Sequence, residues 1–95
     1  MYYVGTCRCC GQGLLGIRIC CDDEIGLIVC EECEAIWLEP ACTGDPLFPQ
    51  QPESRCPRCG RPLWQPPSHW ASCDEVDRLD WTSYALGEWE DKEPV

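Results

Sequence analysis

Eleven cysteines in 95 residues, six of them in three Cys-x-x-Cys pairs, beside a single Phe and a single Met, predict a small metal-stapled α+β fold. The expected architecture is a four-cysteine zinc ribbon, a β-hairpin with a Cys pair at each base. A second zinc-knuckle lobe with short C-terminal helices should follow it. A chain this short buries too little apolar surface to rely on its core alone, so its staples decide whether it folds.

Two kinds of staple compete, disulfide and metal. The chain opens Met1-Tyr2-Tyr3-Val4-Gly5-Thr6 and reaches a cysteine at once, so no secretory leader is expected. No apolar stretch approaches the ~20 residues that a bilayer span requires. The expectation is a cytoplasmic chain with reduced thiols, in which paired cysteines bind metal. An odd number of cysteines also suits a disulfide framework poorly.

Three parts are expected along the chain: a ribbon over 1–39, a Pro-rich linker over 40–53, and a second knuckle lobe over 54–95. In the ribbon, Leu14-Leu15-Gly16-Ile17-Arg18-Ile19 alternates loosely and is rich in branched residues, which reads as a strand. Asp22-Asp23-Glu24 makes a polar turn, and Ile25-Gly26-Leu27-Ile28-Val29 reads as the returning strand. Pro40, Pro46, Pro49 and Pro52 exclude a ladder or helix from the linker, which Leu47 and Phe48 could pin. In the third part Pro62-Leu63-Trp64 reads as a short strand. Ser72-Cys73-Asp74-Glu75 fits a capping box that opens a short helix. Trp81, Ala85 and Trp89, spaced four apart, suggest a second one.

The strongest chemical signal is Cys7-x2-Cys10, 19 residues, then Cys30-x2-Cys33, a spacing within the window of four-cysteine zinc sites. A two-residue gap lets one tight turn aim two sulfurs at one ion, and a hairpin of this length brings the second turn back to the first. Tetrahedral coordination then closes at about 2.3 Å per Zn–S bond. Gly11 follows Cys10, where a knuckle needs positive φ. An iron centre of the rubredoxin kind would use the same four ligands.

Cys30-Glu31-Glu32-Cys33-Glu34-Ala35-Ile36-Trp37-Leu38-Glu39 resembles the second knuckle of the transcription-factor zinc-finger family, the small TFIIB-type ribbons of bacteria. The resemblance covers residues 7–39. It implies Cys7, Cys10, Cys30 and Cys33 as ligands and Trp37 as a core residue beneath the site. Glu34 and Ala35 depart from the pattern, which has glycine there.

Cys56-Pro57-Arg58-Cys59-Gly60 is a well-formed third knuckle that needs two further ligands for a second zinc. His69 and Cys73, four apart, are the first choice, giving C-x2-C-x9-H-x3-C. Cys20, Cys21 and Cys42 are the rivals, and a ligand from Cys20 or Cys21 would clamp the two lobes together. Cys9 sits at a knuckle's variable position and reads as a spectator.

Seventeen acidic against seven basic residues leave a formal charge of −10, and thiolate ligands add to it. Such a surface repels phosphates, which argues against nucleic acid as a partner; Arg55, Arg58 and Arg61 are the only local basic patch. There is no H-E-x-x-H, no phosphate-binding glycine loop and a single His, so no enzyme is expected. The expected function is a non-catalytic interaction module, an acidic accessory, adaptor or inhibitor docking a basic protein partner. A nucleic-acid- or transcription-associated ribbon and a thiol-based redox or metal sensor are the alternatives. The five tryptophans read mostly as core, with Trp64, Trp70 or Trp89 available for a binding face.

Overall fold

Chain organisation is set by two adjacent strands whose side chains are apolar on both faces. In the computed structural model, which describes residues 1–20, 25–48, 54–58, 60–66 and 68–88, these are β2 (Leu14–Ile19) and β3 (Gly26–Cys30). They pair antiparallel from Leu15↔Cys30 to Ile19↔Gly26, forming the expected hairpin. Along a strand successive side chains alternate between faces. Leu15, Ile17, Ile19 and Ile28 therefore pack on one side, with Ala71 and Val76. Leu27 and Val29 pack on the other, with Cys20, Cys56 and Leu63. Burial on both faces is why β3 reads as an uninterrupted apolar run; every one of its residues is buried.

Around this pair the sheet grows to six strands. β1 (Tyr2–Thr6) and β4 (Ile36–Trp37) flank the hairpin, and β6 (Gly87–Glu88) adds to β1, giving the order β4-β3-β2-β1-β6. β5 (His69–Trp70) takes the stretch of β2 that β1 leaves open, with Arg18↔Trp70 and Ile19↔His69 in register. Residues 69–70 and 87–88, expected in a separate lobe, thus join the sheet of the ribbon. Only antiparallel pairs occur among these strands.

The short helix α1 (Cys73–Arg78) begins as its sequence dictates. Ser72 is the N-cap and its hydroxyl accepts from the Glu75 N–H, while the Glu75 carboxylate accepts from the Ser72 N–H at 2.9 Å. Val76 and Leu79 turn towards the sheet. Two expectations are corrected here. The stretch beginning at Trp81 is turns and then strand β6 up to Glu88, not a second helix. The 3.6-residue pattern of Trp81 and Ala85 is overridden because the backbone at Leu86 pairs with Tyr3, its N–H donating to the Tyr3 carbonyl at 2.8 Å; Trp89 lies outside the described residues. Pro62-Leu63-Trp64 supplies one bridge, Arg55↔Pro62, and then turns. Leu47 is pinned through its backbone by paired bonds with Ile36 at 2.7 and 2.8 Å, while its side chain and that of Phe48 stay exposed.

Arg18 is the interior's one buried arginine. It lies on the face of β2 that looks at the third knuckle, and its Nε donates to the Leu63 carbonyl (2.9 Å) and to Ser68 Oγ (2.8 Å). Its guanidinium sits 4.6 and 4.7 Å from the ring centroids of Trp64 and Trp70. Burial lowers its pKa to about 10, so it stays charged at neutral pH.

Two measurements check these assignments. Ile28→Ala, removing a fully buried side chain from the middle of the sheet, should cost about 2–5 kcal/mol in chemical denaturation, where Ser72→Ala should cost about 1 kcal/mol. Burial raises the pKa of Glu75, but the Ser72 N–H and His69 outweigh it and hold the carboxyl below its ordinary 4.5. That stability is present above 4.5 and is lost as pH falls through the lower folded value. Glu75→Gln should flatten the acid limb of a melting-temperature profile.

Candidate metal centre

The first two Cys-x-x-Cys turns share one backbone device. In each, the N–H of the leading cysteine donates forward, Cys7 to the Gly13 carbonyl (2.8 Å) and Cys30 to the Ala35 carbonyl (2.9 Å). The residue four places on donates back to the leading cysteine's carbonyl, Gly11 to Cys7 (2.9 Å) and Glu34 to Cys30 (3.2 Å). Closing so tight a turn needs a left-handed residue at that place, and Gly11 (φ +70°) and Glu34 (φ +66°) supply it. Glutamate pays a steric cost there that glycine avoids. Its side chain is tied down instead, accepting from Ser54 Oγ at 2.6 Å and from the Trp64 indole N–H.

Because the hairpin aligns the turns, Cys7, Cys10, Cys30 and Cys33 converge until their sulfurs all lie within 4.8 Å of one another. Cys7 Sγ is 3.7 Å from Cys33 Sγ, and Cys10 Sγ is 3.6 Å from Cys30 Sγ. A tetrahedron of sulfurs 2.3 Å from a central ion has edges of about 3.8 Å, so the spacing fits a four-coordinate metal. All four remain unbonded to one another. Backbone N–H groups aim at the sulfurs, Gly13 at Cys10 and both Glu32 and Cys33 at Cys30, each at 3.4 Å. Trp37 packs in the same cluster, 3% exposed, where the resemblance to the bacterial ribbons implied a core residue.

Electrostatics divide the set. The Gln12 and Gly13 N–H groups pull the Cys10 thiol down to about 6, whereas burial pushes Cys30 up to about 12 and also raises Cys33. Four thiolates this close repel one another, and a divalent cation between them removes that repulsion. The group can hold a metal ion, and four sulfurs would fill its coordination.

The other sequence candidates are placed differently. Cys56 is joined to Cys20 as a disulfide, Cα to Cα 6.6 Å and 36 residues apart in the chain. His69 Nε2 meets both oxygens of the Glu75 carboxylate at 2.8 and 2.9 Å, with its side chain 45% exposed. Cys73 is exposed, and its thiol beside Tyr2 raises the pKa of that phenol. Among the described residues Cys56, His69 and Cys73 form no common group of ligand atoms. Cys59 and Cys21 lie outside the described residues. Cys42 donates to the Pro40 carbonyl at 3.7 Å and packs against the core around Cys7 and Cys30 without joining the four-sulfur group. Arg18, invisible to motif reading because it sits mid-strand, joins the buried cluster beside Cys20, Cys56 and Leu63.

Comparison with known proteins finds no matching family, no matching curated protein and no matching solved structure.

Metal uptake should displace protons, chiefly from the raised thiols Cys30 and Cys33. Titrating Zn2+ into the reduced metal-free chain in weak buffer should therefore release protons, and more of them once the pH is lowered through about 6, where Cys10 takes up its own. Cys30→Ser should abolish tight binding at this centre, read by competition with a chromogenic chelator.

Proposed function

We propose that this chain is a non-catalytic, zinc-stapled interaction module, an accessory, adaptor or inhibitor that docks a basic segment of a protein partner. The observation that carries the reading is the closed centre. Catalytic zinc keeps an open position for water or substrate, whereas four sulfurs from Cys7, Cys10, Cys30 and Cys33 leave none. Zinc is favoured over other ions because four thiolates in tetrahedral spacing suit a borderline-soft cation without geometric preference. A second zinc on the Cys56–Cys59 knuckle belongs to the same reading.

Charge supports the choice of partner. The formal net charge is −10, so a long-range field attracts a cationic surface and repels phosphates. Beside β4 this field meets exposed apolar side chains. Leu38 and Leu47 stand around a shallow cleft that Ile36 and Trp37 also line, with Glu39 and Asp45 at its side, and Phe48, next to Leu47 in the chain, is exposed as well. A basic segment with apolar anchors is complementary to that surface. Two of the three arginines around the third knuckle donate to the chain itself: Arg55 to the Gly60 carbonyl (2.8 Å) and Arg58 to the Leu38 carbonyl (3.3 Å). That use of their donors weighs against the transcription-linked reading. Among the described residues no helix is long and apolar enough to cross a membrane.

A direct test titrates the zinc-loaded chain with a lysine-rich amphipathic peptide, with duplex DNA and with single-stranded RNA, followed by tryptophan fluorescence. The expected outcome is binding of the peptide alone, weakened by salt and weakened at least tenfold by Leu47→Asp with Phe48→Asp, with the zinc content unchanged. Salt-sensitive binding of DNA or RNA with no response to the peptide would reverse the assignment.

A further inference from the structure

We infer that Cys20 is a ligand of a second metal ion, reaching the third knuckle from the end of β2 in the place that spacing assigns to His69 and Cys73. The inference rests on the zinc reading above and adds to it a ligand and a structural consequence.

The first support is the shape of the third knuckle. The Cys56 N–H donates to the Arg61 carbonyl at 2.9 Å, and the Gly60 N–H donates back to the Cys56 carbonyl at 2.9 Å. Gly60 has φ +76°, beside +70° for Gly11 and +66° for Glu34. The Arg58 N–H points at Cys56 Sγ at 3.4 Å, as Glu32 N–H points at Cys30 Sγ at 3.4 Å. So the turn at Cys56 repeats the turn at Cys30 bond for bond, and shares with the turn at Cys7 the back-donation from a left-handed residue four places on. An N–H aimed at sulfur stabilises a thiolate, the form in which cysteine ligates metal.

The second support is what the fold delivers to that turn. The fold brings Cys20 onto Cys56, where the two sulfurs are joined as a disulfide in this structure, both residues 2% exposed within the cluster of Leu27, Val29, Ile36 and Leu63. Two thiols brought together in this way serve either as a disulfide or as neighbouring metal ligands. The knuckle geometry favours the second use, since a disulfide needs neither the left-handed Gly60 nor the N–H on sulfur. Charge agrees with it. A thiolate-rich zinc centre is anionic, and Arg18, two residues before Cys20 on the same face of β2, is buried with no carboxylate partner among the described residues. Of the rival ligands, His69 is engaged by Glu75, and Cys73 is exposed and forms no common group of ligand atoms with Cys56 among the described residues. In sequence, Cys21 and Cys59 are the thiols adjacent to this pair.

The consequence is mechanical. A ligand from β2 ties the third knuckle to the central hairpin, so the second metal would hold the lobe against the sheet, not fold it as a separate finger.

Native mass spectrometry of the full chain, purified without added metal, tests this together with peptide mapping under non-reducing conditions. The expected result is two zinc ions per chain, with every cysteine open to alkylation after denaturation in chelator. Cys20→Ser should retain a single zinc, and the double variant His69→Ala with Cys73→Ala should retain both. One zinc plus a Cys20–Cys56 disulfide peptide would overturn the inference and leave the first centre standing. So would a Cys20→Ser chain with two zinc ions, or loss of one zinc from the His69→Ala, Cys73→Ala variant. A wild-type chain without metal would overturn the zinc reading as well. Should Cys20→Ser fail to fold, cobalt titration of the wild-type chain decides. Thiolate-to-cobalt charge-transfer absorption rising through a second equivalent supports the site, and saturation at one equivalent overturns it.

Discussion

Four sulfurs held 3.6–3.7 Å from their nearest partners in the pairs Cys10–Cys30 and Cys7–Cys33 impose the constraint on which this molecule is arranged. Thiolates crowded to that distance repel one another, and a cation held between them would remove that repulsion. To bring them there, two knuckles must stand at the same end of one hairpin, which sets the register of β2 on β3. Leu15↔Cys30 is the pair next to the four-sulfur group, and the ladder follows from it. Once that register is set, a slip of a single residue would turn Ile17, Ile19 and Ile28 onto the wrong face.

The hairpin is also the shared wall of two small cores. On one face lie Ala71, Val76 and Leu79 with the residues around α1; on the other lie Cys56 and Leu63 of the third knuckle. A 95-residue chain cannot build a deep interior. It uses both sides of one sheet, with β5 borrowing the free stretch of β2 and β6 the free edge of β1. The apolar run of β3 and the buried charge of Arg18 follow from this economy. Arg18 is tolerated because Leu63, Ser68 and the faces of Trp64 and Trp70 replace the water it loses.

Function follows from what such a scaffold leaves outside. On the interaction-module reading proposed above, an acidic chain presents charge and a few apolar anchors, Leu38, Leu47 and Phe48, while the four-sulfur group leaves no open position on an ion it holds. Rigidity supplied by metal suits a docking surface, because little ordering entropy remains to be lost on binding.

Read from the sequence alone, the features governed by short spacing were legible: Cys7, Cys10, Cys30 and Cys33 as one ligand set, the hairpin between them, and the capping box of Ser72 and Glu75. Each is closed by contacts a few residues apart or by one hairpin, so local chemistry is enough to specify it. The partners of the third knuckle were not legible in this way. His69 and Cys73 had the right spacing to each other, but His69 is drawn into β5 against Ile19 and held by Glu75, while the end of β2 carries Cys20 to Cys56. Nor did the pattern of Trp81 and Ala85 foretell that the chain would leave the helix to pair with Tyr3. Those outcomes depend on which edge of a shared sheet is free. Only the assembled tertiary structure decides that, because an open backbone edge binds any strand that can reach it, whatever the side-chain periodicity of that strand.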